Sequence, residues 1–80
     1  MTRVTVLYFA SLRDAAGCVS ETIETSDNTL RALYASLGSR HRFSLPAERL
    51  RVAVDGAFAD WGDVPRDGSE IAFIPPVSGG

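Results

Sequence analysis

Hydrophobic and polar residues alternate along residues 3–9, a pattern typical of a β-strand that buries one of its faces. The two faces carry different side chains, Val4, Val6 and Tyr8 on one and Thr5, Leu7 and Phe9 on the other. The first face is expected to be buried, and the second face is not strongly polar either.

A short helix and a second strand are predicted next. Ser11 can cap the helix with its hydroxyl, and Gly17 can end it because glycine adopts the left-handed conformation without steric cost. Residues 18–25 predict the second strand, with Val19 and Ile23 as its apolar positions.

The main helix is predicted from a stripe of apolar residues at helical spacing: Leu30, Leu33, Tyr34 and Leu37. Asp27 or Asn28 is expected to cap this helix and Gly38 to end it, with one more turn through Arg40 as the alternative. Residues 38–49 are expected to form a loop that is anchored at the edge of the core by two apolar side chains, Phe43 and Leu45.

Residues 50–60 predict a hairpin, because the Asp55-Gly56 pair is favoured in a two-residue type I′ turn. The register set by this turn pairs Val54 with Ala57, Ala53 with Phe58, and Val52 with Ala59. Val52 and Val54 are the expected core positions, so Phe58 falls on the opposite, outer face.

The last strand is predicted over residues 70–74, with Ile71 and Phe73 buried and with Ala72 and Ile74 facing outward. The order strand, short helix, strand, helix, hairpin, strand predicts an α+β domain in which one mixed sheet wraps on the main helix. The β-grasp, or ubiquitin-like, architecture fits this order best. A ferredoxin-like split βαβ fold is the alternative, although its second long helix is missing from the pattern.

Pro75 and Pro76 stop the last strand, because a residue without an N–H cannot extend a central ladder. They favour an extended backbone and are followed by Val77, Ser78, Gly79 and Gly80. We therefore expect a β-grasp domain over residues 1–76 and a flexible Gly-Gly tail over residues 77–80. Such a tail is narrow enough to enter a tunnel in another protein, and its carboxylate is unshielded.

Composition narrows the possible functions. The chain has 80 residues, enough for one small domain, and its net charge of −2 gives no electrostatic basis for binding nucleic acid or an anionic membrane. No long apolar run and no signal-peptide pattern are found, so a cytoplasmic protein is expected. The single cysteine, Cys18, excludes an internal disulfide and a four-cysteine metal site, and we expect no bound metal. Neither Cys18 nor His41, which is expected in a solvated loop, has the sequence neighbours of a catalytic group.

Three segments carry a family signature. Residues 8–17 read Tyr-Phe-Ala-Ser-Leu-Arg-Asp-Ala-Ala-Gly, residues 29–33 read Thr-Leu-Arg-Ala-Leu, and residues 67–80 end in Pro-Pro-Val-Ser-Gly-Gly. They resemble the molybdopterin synthase small subunits, a family of ubiquitin-like sulfur carriers, and the resemblance spans nearly the whole chain. The thiamin-pathway carriers also end in Gly-Gly, but they are typically shorter and lack the Pro-Pro-Val segment. Asp55 stands where many members have asparagine, which leaves the turn intact.

The resemblance implies that Gly80 is the reacting residue. In that family an activating enzyme adenylates the C-terminal carboxylate with ATP, and a sulfur donor converts it into a thiocarboxylate. The tail then enters the large subunit of the synthase and supplies sulfur to cyclic pyranopterin monophosphate, giving the dithiolene of molybdopterin. The resemblance further implies a heterotetramer of two small and two large subunits, no cofactor bound to this chain, and no activity of the chain alone.

The surface expected to contact this partner comprises Leu7, Phe9, Phe58, Ile74, Pro75, Pro76, Val77, Ser78 and Gly79. Other functions remain open at this point, because a free glycine carboxylate suits conjugation as well as sulfur transfer. The alternatives are a ubiquitin-like modifier joined to lysines, a non-covalent binding module, and a sulfur carrier of another pathway such as thiamin synthesis.

Overall fold

The computed structural model describes residues 1–76, so the predictions for Val77, Ser78, Gly79 and Gly80 lie outside the described residues. The described part contains five strands, two α-helices and one 3₁₀ turn. In chain order these are β1 (Thr2–Tyr8), α1 (Ala10–Ala16), β2 (Ser20–Thr25), α2 (Leu30–His41), the 3₁₀ turn (Ala47–Arg49), β3 (Arg51–Val54), β4 (Ala57–Ala59) and β5 (Glu70–Ile74).

The five strands form one mixed sheet in the order β2-β1-β5-β3-β4. β1 and β5 are parallel, with Val6 opposite Ile71, and the other three pairings are antiparallel. One mixed sheet with one long helix is the β-grasp architecture, so the fold prediction is confirmed. The ferredoxin-like alternative is wrong, because α1 has only seven residues against twelve in α2.

The core lies between α2 and the inner face of the sheet. The helix contributes its predicted stripe, and the sheet contributes Val4, Val6, Tyr8, Val52, Ile71 and Phe73. Tyr34 of α2 meets Phe73 edge to face with ring centroids 5.1 Å apart, and Trp61 stacks on Phe73 at 5.8 Å. Burial of one large apolar side chain stabilises the fold by ~1.5–3 kcal/mol. This packing holds α2 in place, since an isolated helix of this length is marginal in water.

The β3–β4 hairpin has the predicted register, with Ala53 opposite Phe58. Asp55 and Gly56 have φ values of 51° and 88°, the positive values that a type I′ turn requires. The Asp55 carboxylate also accepts a hydrogen bond from the N–H of Glu70 at 2.9 Å, which links the turn to β5. The register turns Phe58 away from α2, as predicted, and leaves it 69% exposed.

The predicted boundaries of β2 and α1 need correction. β2 begins at Ser20 rather than at residue 18, so Val19, which was expected to be an apolar position of this strand, lies outside it and is exposed. Ser11 does not cap α1, because Phe9 occupies the capping position and its side chain makes no capping hydrogen bond. Gly17 ends α1 in the left-handed conformation, as predicted.

The N-terminal cap of α2 also differs from the prediction. Thr29 is the cap, and its hydroxyl accepts a hydrogen bond from a backbone N–H of the first turn at 3.0 Å. Asp27 and Asn28 lie too early to cap. The Asp27 carboxylate is instead occupied by the hydroxyls of Thr25 and Ser36.

α2 continues through Gly38 and ends at His41, one residue beyond the longer alternative. Arg42 adopts the left-handed conformation with φ 60° and donates its N–H to the carbonyl of Gly38. Phe43 and Leu45 pack against the core from the following loop, as predicted. Neither helix within residues 1–76 has the length and hydrophobicity that spanning a bilayer requires.

Candidate functional site

The outer face of the sheet, the face turned away from α2, carries a shallow groove of about 280 Å³. Side chains alternate along each strand, so the neighbours of core residues face outward. Leu7 precedes the buried Tyr8 in this way, and Ile74 follows the buried Phe73. The groove is lined by Leu7, Phe9, Ala53, Gly56, Phe58, Glu70, Ala72 and Ile74.

The four outer-face residues predicted to contact a partner all line this groove: Leu7, Phe9, Phe58 and Ile74. Phe58 is 69% exposed and Phe9 is 44% exposed, whereas Leu7 and Ile74 are half-buried. Exposed aromatic side chains that gather on one face are typical of a protein interface. The structure therefore brings these residues together, and their role in binding a partner stays a prediction.

The strand that leads to the tail ends beside this groove. Pro75 is half-buried and Pro76 is exposed, and the two prolines line a second depression of about 590 Å³. Phe58 and Ile74 line both depressions, so the apolar surface continues from the groove to the start of the tail. We call this surface the outer patch, and it consists of Leu7, Phe9, Phe58, Ile74, Pro75 and Pro76. The remaining predicted site residues, Val77, Ser78, Gly79 and Gly80, lie outside the described residues.

A positive charge that was not predicted as part of the site, Arg51, borders the outer patch. Arg51 is opposite Ile74 in the register of β3 and β5, and its guanidinium carbon lies 5.5 Å from the centre of the Phe58 ring. This is the geometry of a cation–π contact. The alternation of β3 could have predicted this position, because Val52 and Val54 were expected in the core and Arg51 must then face outward.

A polar cluster joins the end of β1, β2 and the last turn of α2. Glu21 accepts a hydrogen bond from the Tyr8 hydroxyl at 2.5 Å, and the same oxygen lies 2.7 Å from Nε2 of His41. The guanidinium of Arg40 lies 3.8 Å from the other carboxylate oxygen. The side chain of His41 is only 15% exposed, so the expectation that it lies in a solvated loop is wrong.

The pKa values in this cluster reflect its hydrogen bonds. Burial acts to raise the pKa of Glu21, but the hydrogen bonds from Tyr8 and His41, with the charge of Arg40, outweigh burial and hold that pKa below its ordinary value. Burial, together with the hydrogen bond to Glu21, raises the pKa of the Tyr8 hydroxyl above its ordinary range. The Glu21 carboxylate and the Tyr8 hydroxyl are thus both engaged inside the protein. We interpret the cluster as a structural link between β2 and α2.

The described residues contain little else with the chemistry of a site. Within residues 1–76, no group of three or more His, Cys, Asp or Glu side chains is placed to hold a metal ion. Cys18 is a free thiol that packs partly buried against the core. The outer patch is therefore the feature on which a functional interpretation rests.

Comparison with known proteins shows the family to which the chain belongs. The model of the ThiS family matches residues 6–80. The molybdopterin synthase sulfur carrier subunit of Mycobacterium tuberculosis is 35% identical over 83 aligned positions, which cover 100% of both chains. The protein of the same name from Escherichia coli is 31% identical and covers 96% of this chain and 99% of its own length.

Solved structures extend the comparison. SAMP1 from Haloferax volcanii, a small archaeal modifier protein, superposes with a TM-score of 0.79 at 26% identity and covers 98% of this chain and 99% of its own. A chain in the complex of subunits 1 and 2 of molybdopterin-converting factor from Helicobacter pylori has the same fold, with a TM-score of 0.68 at 24% identity over 99% of this chain and 100% of its own. The family model matches nearly the whole chain, and curated relatives are over 30% identical along their full length. The chain therefore belongs to the ThiS family, and its curated relatives within that comparison are molybdopterin synthase sulfur carrier subunits.

Proposed function

We propose that this protein is the sulfur carrier subunit of a molybdopterin synthase and that the carboxylate of Gly80 carries the sulfur. The observation that carries the proposal is the continuity of the outer patch with the start of the tail. This arrangement would seat a partner where the reacting end of the chain leaves the domain. The relatives of the same length that bear this function in their names support it.

The proposed chemistry begins with activation, because a carboxylate is a poor electrophile at neutral pH. An activating enzyme joins the Gly80 carboxylate to the AMP portion of ATP and releases pyrophosphate. A sulfur donor then displaces AMP and leaves a thiocarboxylate, in which sulfur has replaced one carboxylate oxygen. In the synthase this sulfur passes to cyclic pyranopterin monophosphate, and water restores the carboxylate.

The residues of this chain position the reacting carboxylate of Gly80 and do not supply acid–base chemistry. Pro75 and Pro76 restrict the backbone where β5 ends, and without an N–H they cannot extend the ladder of the sheet. The four residues beyond Pro76 span at most ~14 Å when extended, which is enough to enter a cleft. Gly79 and Gly80 have no Cβ and allow the partner's walls to approach the backbone closely. We accordingly expect no turnover by the chain alone.

We infer that the outer patch docks on the large subunit of the synthase. The Helicobacter pylori structure supports this inference, since it is a complex of two subunits of a molybdopterin-converting factor. The relatives are likewise named as subunits. We further propose that the protein acts in the cytoplasm, in an assembly of two small and two large subunits. Native mass spectrometry of the purified complex tests this stoichiometry.

Intact-mass measurement after incubation with ATP, an activating enzyme and a sulfide source tests the sulfur-carrying step. The product should be heavier by the difference between a sulfur and an oxygen atom. Oxidation of Met1 adds nearly the same mass, and Cys18 is a second sulfur nucleophile. Alkylation in a Cys18→Ser background resolves both problems, because the thiocarboxylate is then the group that a thiol-selective reagent modifies.

Two variants separate the candidate sulfur carriers. Deletion of Gly80 should abolish molybdopterin formation by the reconstituted complex, because the shortened tail leaves its carboxylate one residue short of the reacting centre. Cys18→Ser should leave the activity near normal, with a small packing cost, because this thiol lies partly buried against the core. A thermal melt of each variant checks that folding is retained. Loss of activity in folded Cys18→Ser, with activity kept after deletion of Gly80, would show that the thiol is the carrier.

A protein modifier is the second candidate, and the similarity to SAMP1 from Haloferax volcanii favours it specifically. A modifier would be isolated from cells joined to lysines of other proteins, whereas a sulfur carrier would be isolated with a C-terminal thiocarboxylate. A carrier of another pathway, such as thiamin synthesis, would form the thiocarboxylate but would not support molybdopterin formation with the large subunit. The state of the C-terminus in protein isolated from cells and molybdopterin formation with the large subunit therefore distinguish all three functions.

A further inference from the structure

Charged residues are distributed unevenly along the outer face of the sheet. Arg51 lies opposite Ile74, at the end where β5 leads into the prolines. Glu70 begins the same strand and lines the far end of the groove. Glu70 and Ile74 are four positions apart, a distance of about 13 Å along an extended strand. The face consequently has a positive end beside the start of the tail and a negative end away from it.

The charge of Arg51 is uncompensated within the part of the chain that the structure describes. Arg3, Arg31 and Arg40 form ion pairs with carboxylates, whereas Arg51 forms none among residues 1–76. Glu48 lines the same depression as Arg51, but its carboxylate lies 2.7 Å from the guanidinium of Arg31. Arg51 therefore offers its hydrogen-bond donors to whatever covers this surface.

The contact with Phe58 prepares Arg51 for this role. A guanidinium held against an aromatic ring keeps the donors along its edge available, and it loses less conformational freedom when it binds. Carboxylates match the planar fork of arginine with two parallel hydrogen bonds. Apolar surroundings that exclude water strengthen such a contact, and Phe58 and Ile74, which line the same depression as Arg51, provide them once a partner is seated.

We propose that Arg51 receives a carboxylate of the protein that docks on the outer patch, and that this contact sets the orientation of the partner relative to the tail. The inference rests on the proposed function, because it assigns a chemistry to the surface through which the carrier meets its synthase. The partner that fits is a protein with an apolar docking surface and one aspartate or glutamate opposite Arg51. A reversed orientation would bring that acidic residue toward Glu70, where like charges repel.

Titration calorimetry of this chain with the large synthase subunit, at low and at high salt, tests the inference. Arg51→Glu should weaken binding by about 30-fold or more, because it replaces an attraction at the interface by a repulsion. Arg51→Met should weaken binding by about 5- to 10-fold and remove most of the salt dependence, since the side chain keeps its apolar length without the charge. Arg66→Glu is the matched control, because the substitution makes the same change in net charge at an exposed residue. Arg66 lines a different depression from Arg51. Arg66→Glu should change the affinity by less than about twofold.

The outcomes separate the inference from the proposed function. If the wild-type chain binds and Arg51→Glu binds equally tightly, the role of Arg51 is refuted while the carrier function stands. If the wild-type chain does not bind the large subunit, the proposed function fails and the inference fails with it. Restoration of tight binding to Arg51→Glu by an acid-to-arginine substitution on the large subunit would identify the partner carboxylate. If Arg51→Glu has a lowered melting temperature, the affinity and salt dependence of Arg51→Met test the inference instead.

Discussion

Phe58 and Phe73 are the same residue type on opposite faces of one sheet, so replacing each by alanine separates folding from docking. Phe73 is fully buried, with 0% exposure, and contacts Tyr34 and Trp61, whereas Phe58 is 69% exposed on the outer patch. We expect Phe73→Ala to lower the stability of the fold. We expect Phe58→Ala to lower the affinity for the large synthase subunit instead.

The magnitudes follow from burial. Truncation of a buried phenylalanine typically costs ~3–5 kcal/mol, a large share of the ~4–12 kcal/mol available to a domain of this size. Complete burial of such a side chain is worth ~1.5–3 kcal/mol, and Phe58 has gained only about a third of that on folding. The stability cost of Phe58→Ala should therefore stay below ~1 kcal/mol. The remaining ~1–2 kcal/mol is available for docking and corresponds to an affinity loss of about 5- to 30-fold.

Urea denaturation of both variants measures the stabilities, and calorimetric titration of Phe58→Ala with the large subunit measures the affinity. Equal losses of stability in the two variants would show that the hairpin register is wrong, because Phe58 would then be a core residue. A folded Phe58→Ala that binds as tightly as the wild type would remove the outer patch as the docking surface.

Two further predictions concern the fold. Because Glu21 has a lowered pKa in the folded protein, its contribution to stability is complete above the ordinary glutamate pKa of 4.5 and is lost as the pH falls through the lower folded value. Urea denaturation across this range should therefore show that the stability difference between wild type and Glu21→Gln shrinks in acid. A difference that stays constant would contradict the lowered pKa of Glu21. Thr29→Ala should cost ~1 kcal/mol, or about 4–8 °C in thermal melts, because it removes the capping hydrogen bond of α2. Asn28→Ala should change the stability little, and an equal loss of stability in both variants would refute the cap at Thr29.

The correctly predicted elements have local causes. Alternation along β1, the apolar stripe of α2 and the Asp55-Gly56 turn each depend on residues within a few positions of one another. The position of Phe58 followed from the turn, because a two-residue loop sets which residues pair across a hairpin. Most of the outer patch could accordingly be named without a structure.

The wrong predictions for the α2 cap and for His41 come from side-chain partners that the folded chain supplies. Asp27 is a good capping residue in isolation, but its carboxylate accepts hydrogen bonds from the hydroxyls of Thr25 and Ser36. Thr29 caps the helix instead, two positions later in the chain. The sequence around His41 is typical of a loop. Its partner Glu21 lies twenty positions earlier in the sequence, and only the packing of β2 against α2 brings the two side chains together.

The sequence by itself determined the periodic elements, the hairpin register and the apolar character of the surface beside the tail, because these depend on backbone geometry and on neighbouring side chains. Only the tertiary structure decided which charges meet. Alternation turned Arg51 outward, but its place over Phe58 and the pairing of Glu48 with Arg31 depend on how β3, β4, the 3₁₀ turn and α2 pack together. Electrostatic and hydrogen-bond partners are chosen by distance in space, and a one-dimensional pattern records that distance only where the chain is locally regular.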